Sequence, residues 1–138
     1  ARWLPLCRDW KMIGCYAQTE LGHGSNVRAL ETTATFQTEE QGGFKGGSFV
    51  INSPTLTSTK FWPGTLGRTA NHAMVIARLI DGTGKDRGVH NFLVPLRSMK
   101  DHSLLPGVKT GDIGPKIGYN IMDNGFASFN NVVIPRRK

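Results

Sequence analysis

The chain alternates short apolar runs with glycine, proline and polar turns, a pattern that predicts strands and few long helices. Residues 30–36 alternate apolar and polar side chains and are rich in β-branched residues, as in a half-buried strand. Residues 73–80 are almost continuously apolar, so we expect that strand at the centre of the core. The predicted strands are residues 30–36, 49–52, 58–62, 73–80, 89–96 and 127–134.

Together with a further strand that ends at Tyr16 and Ala17, these make about seven short strands and predict an all-β fold: an antiparallel β-barrel or a two-sheet sandwich. Strand 49–52 is expected to pair with 30–36 across a flexible, glycine-rich hairpin tip at 41–48. No repeat of about 20–50 residues is present, which argues against a propeller or solenoid.

The first residues show a different pattern, because their apolar side chains recur at roughly helical spacing. Pro5 permits a helix only if it begins near that residue. We therefore interpret residues 1–12 as the tail of a preceding helical domain and residues 13–138 as one β domain. Neither a signal peptide nor a C-terminal Ser-Lys-Leu address is recognisable, and the chain is interpreted as an excised domain.

Composition restricts the function classes. The net charge of +7 is scattered, with one dense cluster at 136–138, and favours an anionic ligand over a nucleic-acid groove. No apolar run approaches the roughly 18 residues of a membrane span. Cys7 and Cys15 have no disulfide or metal spacing and are expected to be reduced and buried, as in an intracellular protein. The four histidines lie too far apart for a helical metal pair, so no metal is predicted.

Two segments carry candidate chemistry. Residues 14–26 pass from a short strand into a glycine turn, where Thr19 offers a hydroxyl and an amide, and where Gly22 and Gly24 allow close approach of a ligand. Such a turn is by itself more often only a turn. The tripeptide Trp62-Pro63-Gly64 combines a flat aromatic, a fixed φ and a residue without a side chain, which suits a planar ligand.

These two segments belong to a longer series of motifs that together resemble a known family. The run at 14–26 is followed in order by blocks at 30–36, 60–64, 111–116, 122–125 and 133–136. Together they resemble the middle domain of the peroxisomal acyl-CoA oxidases, flavoenzymes related to the acyl-CoA dehydrogenases. The resemblance runs from about Ile13 to Arg136 and implies a β-barrel that lies between two helical domains.

The resemblance implies FAD as the cofactor. It implies that Thr19 contacts the isoalloxazine, with Tyr16 and Gln18 beside it, and that Gly64 contacts FAD next to the indole of Trp62. Phe61 and Thr65 stand where the oxidases often have Trp and Gly. The alternative for Thr19 is a hydroxyl that satisfies its own turn backbone.

By the same resemblance, Ser25 meets the fatty acyl-CoA substrate, whereas His23 and Asn26 are interpreted as turn residues. Asp112, Lys116, Asp123 and Asn124 receive no catalytic role.

The implied reaction removes an α proton and a β hydride from a fatty acyl-CoA, and molecular oxygen reoxidises the FAD to give hydrogen peroxide. Its base is a glutamate beyond residue 138, so no residue of this chain is predicted to be catalytic and the domain is expected to be inactive alone. A peroxisomal location and a full-length homodimer are also implied.

Two alternatives remain at this point. The first is an acyl-CoA dehydrogenase, which passes electrons to a carrier protein, although Gly22-His23-Gly24 and Trp62-Pro63-Gly64 are oxidase-like. The second is a basic β-barrel module for nucleic acid, for which the interleaved basic and aromatic strand is missing.

Overall fold

The computed structural model describes residues 3–136, which form nine strands, two short α-helices and one turn of 3-10 helix. The helices are α1 (Trp3–Arg8) and α2 (Glu39–Gly42), and the 3-10 turn is Val27–Ala29. The strands are β1 (Gly14–Ala17), β2 (Thr33–Gln37), β3 (Ser48–Asn52), β4 (Lys60–Phe61), β5 (His72–Ile80), β6 (Asp86–Pro95), β7 (Val108–Asp112), β8 (Gly125–Phe129) and β9 (Val132–Pro135).

The strands form two sheets around one core. The larger sheet has the order β1-β5-β2-β3-β9, with β6 also paired to β5, and the smaller has the order β4-β8-β7. The core between them includes Ala34, Ile51, Val75, Val94 and Phe129, each buried. The predicted all-β, two-sheet fold with a short N-terminal helix is therefore confirmed.

Strand β5 organises the larger sheet, as its continuous apolar run predicted. It pairs in parallel with β1 at one end and with β2 at the other, and antiparallel with β6 along nearly its whole length. The expectation of purely antiparallel strands was therefore wrong for these two pairs. Parallel pairing needs a long crossover connection, which leaves no short turn signal in the sequence.

Several strand bounds differ from the prediction. The expected strand at 127–134 is two strands, β8 and β9, which belong to different sheets. They are separated by Asn130 and Asn131, and Asn131 has a left-handed conformation (φ 52°). Strand β7 was not predicted. Residues 58–62 contribute only the two residues of β4, and β2 begins at Thr33 because Leu30 follows the 3-10 turn. The pairing of β2 with β3 is confirmed.

The two remaining expectations concern the hairpin tip and the cysteines. The tip contains α2, with a capping box between Thr38 and Gln41 and a left-handed Gly43 (φ 70°) at its C-terminus, so it is partly helical. Cys7 is exposed and not buried as expected, because it lies on a helix that has no buried residue. Cys15 is half-buried, and burial raises the pKa of its thiol to about 12.

The helical start of the chain is attached to the β domain through Asn71, next to β5. The Asn71 side chain accepts a hydrogen bond from the Ile13 amide (3.0 Å) and donates one to the Lys11 carbonyl (2.8 Å). The division into residues 1–12 and 13–138 stays a prediction. None of the helices within residues 3–136 has the length and apolar character needed to span a membrane.

Candidate functional site

An open cleft of about 210 Å³ lies between the end of β1 and the end of β4. One wall consists of Tyr16, Gln18 and Thr19, and the other consists of Phe61, Trp62 and Pro63. Four predicted cofactor residues, Tyr16, Gln18, Thr19 and Trp62, are thus brought together from two distant segments of the chain.

Backbone hydrogen bonds hold the two walls side by side. The Phe61 amide donates to the Thr19 carbonyl (2.9 Å), and the Leu21 amide donates to the Thr59 carbonyl (2.8 Å). Glu20 and Lys60 form an isolated antiparallel bridge between these two contacts. The segment after β1 therefore continues antiparallel to β4, and the cleft opens where the two chains part.

Thr19, which lines this cleft, has unused hydrogen-bond donors. Among the hydrogen bonds of residues 3–136, none engages the Thr19 amide or hydroxyl. The alternative in which its hydroxyl satisfies its own turn therefore does not describe this loop. The Tyr16 hydroxyl donates to Gln18 Oε1 (2.7 Å), and the side chains of Tyr16 and Trp62 are 59% and 55% exposed. Free donors between exposed aromatic faces suit a flat ligand with acceptor atoms at one edge.

Trp62 is held in an unusual backbone conformation. Its φ is 89°, a region that a non-glycine residue adopts only when its surroundings impose it. The Trp62 amide donates to the Gly125 carbonyl (3.0 Å), the Gly125 amide donates to the Pro63 carbonyl (3.0 Å), and the Asn124 side chain donates to the Trp62 carbonyl (2.7 Å). Asn124 and the start of β8 thus fix the backbone of Trp62 beside the cleft, a contribution that the sequence analysis did not foresee for Asn124.

The other two predicted site residues do not line this cleft. Gly64 is half-buried two positions beyond Trp62, and a Cβ atom placed on it would lie 3.2 Å from Met122 Sδ. Ser25 is exposed in the turn before Val27–Ala29, where its carbonyl accepts the Val27 amide (3.0 Å). Their assigned contacts with FAD and substrate stay predictions.

A buried ion pair lies directly behind the cleft and was not predicted. Lys60 and Glu20 have fully buried side chains, and Lys60 Nζ lies 3.0 Å from Glu20 Oε1. Burial lowers the pKa of the Lys60 ammonium, whereas the carboxylate of Glu20 acts to raise it. In the sequence, the only indication that this lysine is buried is its position between a threonine-rich segment at 55–59 and the apolar residues Phe61 and Trp62.

Glu20 also belongs to a group that could be mistaken for a metal centre. Ligand atoms of Glu20, His23 and Glu31 lie within 4.8 Å of one another, although the spacing of the histidines predicted no such group. The Glu20 oxygens, however, accept hydrogen bonds from Lys60, Thr32 and the Glu31 amide, and His23 contacts Glu31 (3.2 Å). These contacts explain why the three side chains lie close together, and a bound cation is not needed to explain it.

A second open groove of about 560 Å³ shares Phe61 and Trp62 with the cleft. Its far side is the segment from Ile113 to Asn124, on which Ile117, Tyr119 and nearby Ile121 are strongly exposed. These exposed side chains extend the apolar surface well beyond Phe61 and Trp62. The cleft is therefore one part of a wider apolar face.

The sequence and the fold both match one family. Residues 15–132 match the family model described as acyl-CoA dehydrogenase, middle domain. The chain belongs to this family. The resemblance inferred from the motif blocks is thereby confirmed.

Similar proteins within this family include acyl-CoA oxidases. The chain is 57% identical to the putative peroxisomal acyl-coenzyme A oxidase 1.2 of Arabidopsis thaliana over 138 residues, which cover 98% of this chain and 20% of that protein. It is similar to the crystal structure of an acyl-CoA oxidase from tomato (TM-score 0.89, 59% identity, 97% of this chain and 20% of the other).

A third similar structure is acyl-CoA oxidase-1 of Caenorhabditis elegans, described as complexed with FAD and ATP (TM-score 0.89, 50% identity, 98% of this chain and 20% of the other). The chain thus spans about 20% of the length of these relatives.

Proposed function

We propose that the full-length protein is a FAD-dependent acyl-CoA oxidase of the peroxisome. It converts a fatty acyl-CoA and molecular oxygen into the trans-2-enoyl-CoA and hydrogen peroxide, and it acts as a homodimer. The relatives named peroxisomal acyl-coenzyme A oxidases, at 57% and 56% identity, support this proposal over a dehydrogenase. Because the chain belongs to this family, the alternative of a nucleic-acid-binding module is set aside.

The observation that carries the proposal is the pair of unused Thr19 donors between two exposed aromatic side chains. In this arrangement Thr19 would donate to the pyrimidine edge of FAD, and Tyr16, Gln18 and Trp62 would lie beside the ring. When bound, the flavin accepts the hydride that leaves the β carbon of the substrate. Fixed donors at that edge stabilise the negative charge that reduction creates there.

This domain supplies one wall of the site and no base. Of the six residues that line the cleft none is acidic, and the neighbouring Glu20 is buried and paired with Lys60. Removal of the α proton therefore requires a carboxylate from another part of the full-length protein.

Ser25 has a separate place in the proposal. It is exposed in the loop that leaves the cleft wall, within reach of solvent, and we assign it to the acyl-CoA substrate and not to the flavin.

The test uses the full-length protein with palmitoyl-CoA in aerated buffer. We expect one hydrogen peroxide for each enoyl-CoA formed, without an added electron acceptor. A dehydrogenase would instead turn over only when an electron-accepting carrier or dye is supplied, and that result would overturn the assignment as an oxidase. Absence of bound flavin would overturn both alternatives.

A further inference from the structure

We propose that Lys60 is a positioning residue: its buried ammonium fixes the Gln18–Thr19 peptide so that the Thr19 amide faces the cleft. This inference rests on the proposed function, because it concerns how the flavin wall is held.

The contacts of Lys60 leave its ammonium no freedom. Nζ donates to the carbonyl of Gln18 (3.0 Å), to the carbonyl of Ile76 in β5 (2.6 Å) and to Glu20 Oε1 (3.0 Å). An ammonium has three donors, and all three are used. Lys60 therefore connects the loop after β1 to the central strand of the larger sheet.

Glu20 is fixed from its other side. Its Oε1 accepts from the amide and the hydroxyl of Thr32 (2.9 and 2.6 Å), and its Oε2 accepts from the Glu31 amide (2.8 Å). The carboxylate cannot turn away without leaving buried donors unpaired, which is costly. Glu20 thus holds Lys60 in place, and Lys60 holds Gln18.

The geometry of the peptide bond carries this restraint to the cleft. The carbonyl of Gln18 and the amide of Thr19 belong to one planar trans peptide, in which C=O and N–H point in opposite directions. Because Lys60 holds the carbonyl toward the interior, the Thr19 amide must point the other way. The unpaired state of that amide within residues 3–136 agrees with this orientation.

The same lysine also borders the opposite wall. It is followed directly by Phe61, whose amide donates to the Thr19 carbonyl (2.9 Å), and then by Trp62. The residue that restrains the Gln18–Thr19 peptide thus lies in the same short segment that forms the opposite wall.

Stability alone is a weak reason for this ion pair. Buried ion pairs are often replaced by apolar residues without loss of stability, because the Coulombic gain barely offsets desolvation. Apolar residues in these two places could fill the same volume, but they could not hold the Gln18 carbonyl, which is the role that the positioning of Thr19 requires.

The experiment uses the full-length protein with Lys60→Met and Glu20→Gln combined, so that no unpaired charge stays buried. FAD is titrated into the apoprotein by flavin fluorescence, and the absorption spectrum of bound flavin is recorded. We expect the dissociation constant for FAD to rise at least tenfold and the spectrum of bound flavin to shift. Ile51→Ala, a change in buried β3 outside the cleft lining, is the control and is expected to change the constant less than twofold even where its Tm falls further.

Lys60→Arg is the second variant, for the case in which the double variant does not fold. It keeps a positive charge beside Glu20, but its longer planar fork cannot reproduce the three-way contact, so weaker FAD binding is again expected. Wild-type affinity in a folded variant would overturn the inference.

A crystal structure of the folded variant separates this inference from the proposed function. We expect the Gln18–Thr19 peptide to be rotated, whether or not the protein binds FAD. An unchanged peptide would overturn the positioning role, whereas a wild-type protein without flavin affinity would overturn only the proposed function.

Discussion

Replacing Gly64 with valine is expected to weaken FAD binding by the full-length protein more than replacing Thr19 with alanine. A Cβ atom at Gly64 would lie 3.2, 3.5 and 3.8 Å from Sδ, Cγ and Cε of Met122. The two γ carbons of valine add further crowding, and Pro63 transmits a displacement of this backbone directly to Trp62. Thr19→Ala removes one donor and leaves the backbone of the cleft in place.

The two magnitudes can be compared. Loss of one neutral hydrogen bond costs about 0.5–1.5 kcal/mol, which corresponds to a rise in Kd of about 2- to 13-fold. Overpacking costs about 1–3 kcal/mol, which corresponds to about 5- to 160-fold if the strain is expressed in the bound state. Because Met122 is flexible, Gly64→Ala should lie near the lower end of that range.

The assay is titration of FAD into apoprotein, followed by flavin fluorescence. Gly14→Val at the start of β1 is the matched control, because a Cβ at Gly14 meets no atom within 4 Å, and it should leave Kd within about twofold. Adding Met122→Ala to Gly64→Val should restore part of the affinity by making room. Equal losses for Gly64→Val and Thr19→Ala, or no recovery with Met122→Ala, would refute the steric reasoning.

Three further predictions concern the domain itself. The 138-residue chain alone should bind FAD with a Kd above about 1 μM by calorimetry, since it offers one wall of an open cleft, and tighter binding would show that one wall suffices. Asn124→Ala removes the hydrogen bond that holds the Trp62 carbonyl, at a cost of about 1 kcal/mol. It should therefore lower the Tm by a few degrees and alter the tryptophan emission, and unchanged emission would contradict the role of Asn124.

Burial acts to raise the pKa of Asp123, but hydrogen bonds from the amides of Thr69 and Arg68 hold that pKa below its usual value. The ionised carboxylate therefore stabilises the folded state at pH values above the unfolded pKa of about 3.9. This contribution is lost as the pH falls through the lower pKa of the folded state. Urea unfolding of Asp123→Asn should therefore show a smaller loss of stability between about pH 5 and 3 than the wild type, and equal losses would count against this carboxylate.

The fold could be predicted where the pattern of side chains is local. The apolar run of β5 and the alternation of β2 identified both strands. Strand β7 was missed because Val108 is its only strongly apolar residue, and the break between β8 and β9 was missed because apolar positions continue on both sides of the two asparagines at the turn. Parallel pairing depends on long-range closure, which no local pattern encodes.

The site could be predicted in part for the same reason. The family resemblance singled out Tyr16, Gln18, Thr19 and Trp62, and the fold brings these four residues to one cleft, whereas their contacts with FAD stay predictions. The pair of Lys60 and Glu20 could not be predicted, because charged side chains are almost always exposed and only the tertiary structure reveals that these two are buried.

Strand β5 also imposes an order on folding. Strand β5 is joined to β6 by a short turn, so this hairpin forms from local contacts. Strand β1, in contrast, reaches β5 only when a long loop closes: Ile13 and Asn71, which are hydrogen-bonded beside these strands, are 58 residues apart. The entropy of closing such loops delays the contacts that depend on them. Because Thr19 lies just after β1, this wall of the cleft is expected to be organised late, after the hairpin exists. A nascent or partly unfolded chain would therefore hold its central hairpin while still lacking the wall of the cleft.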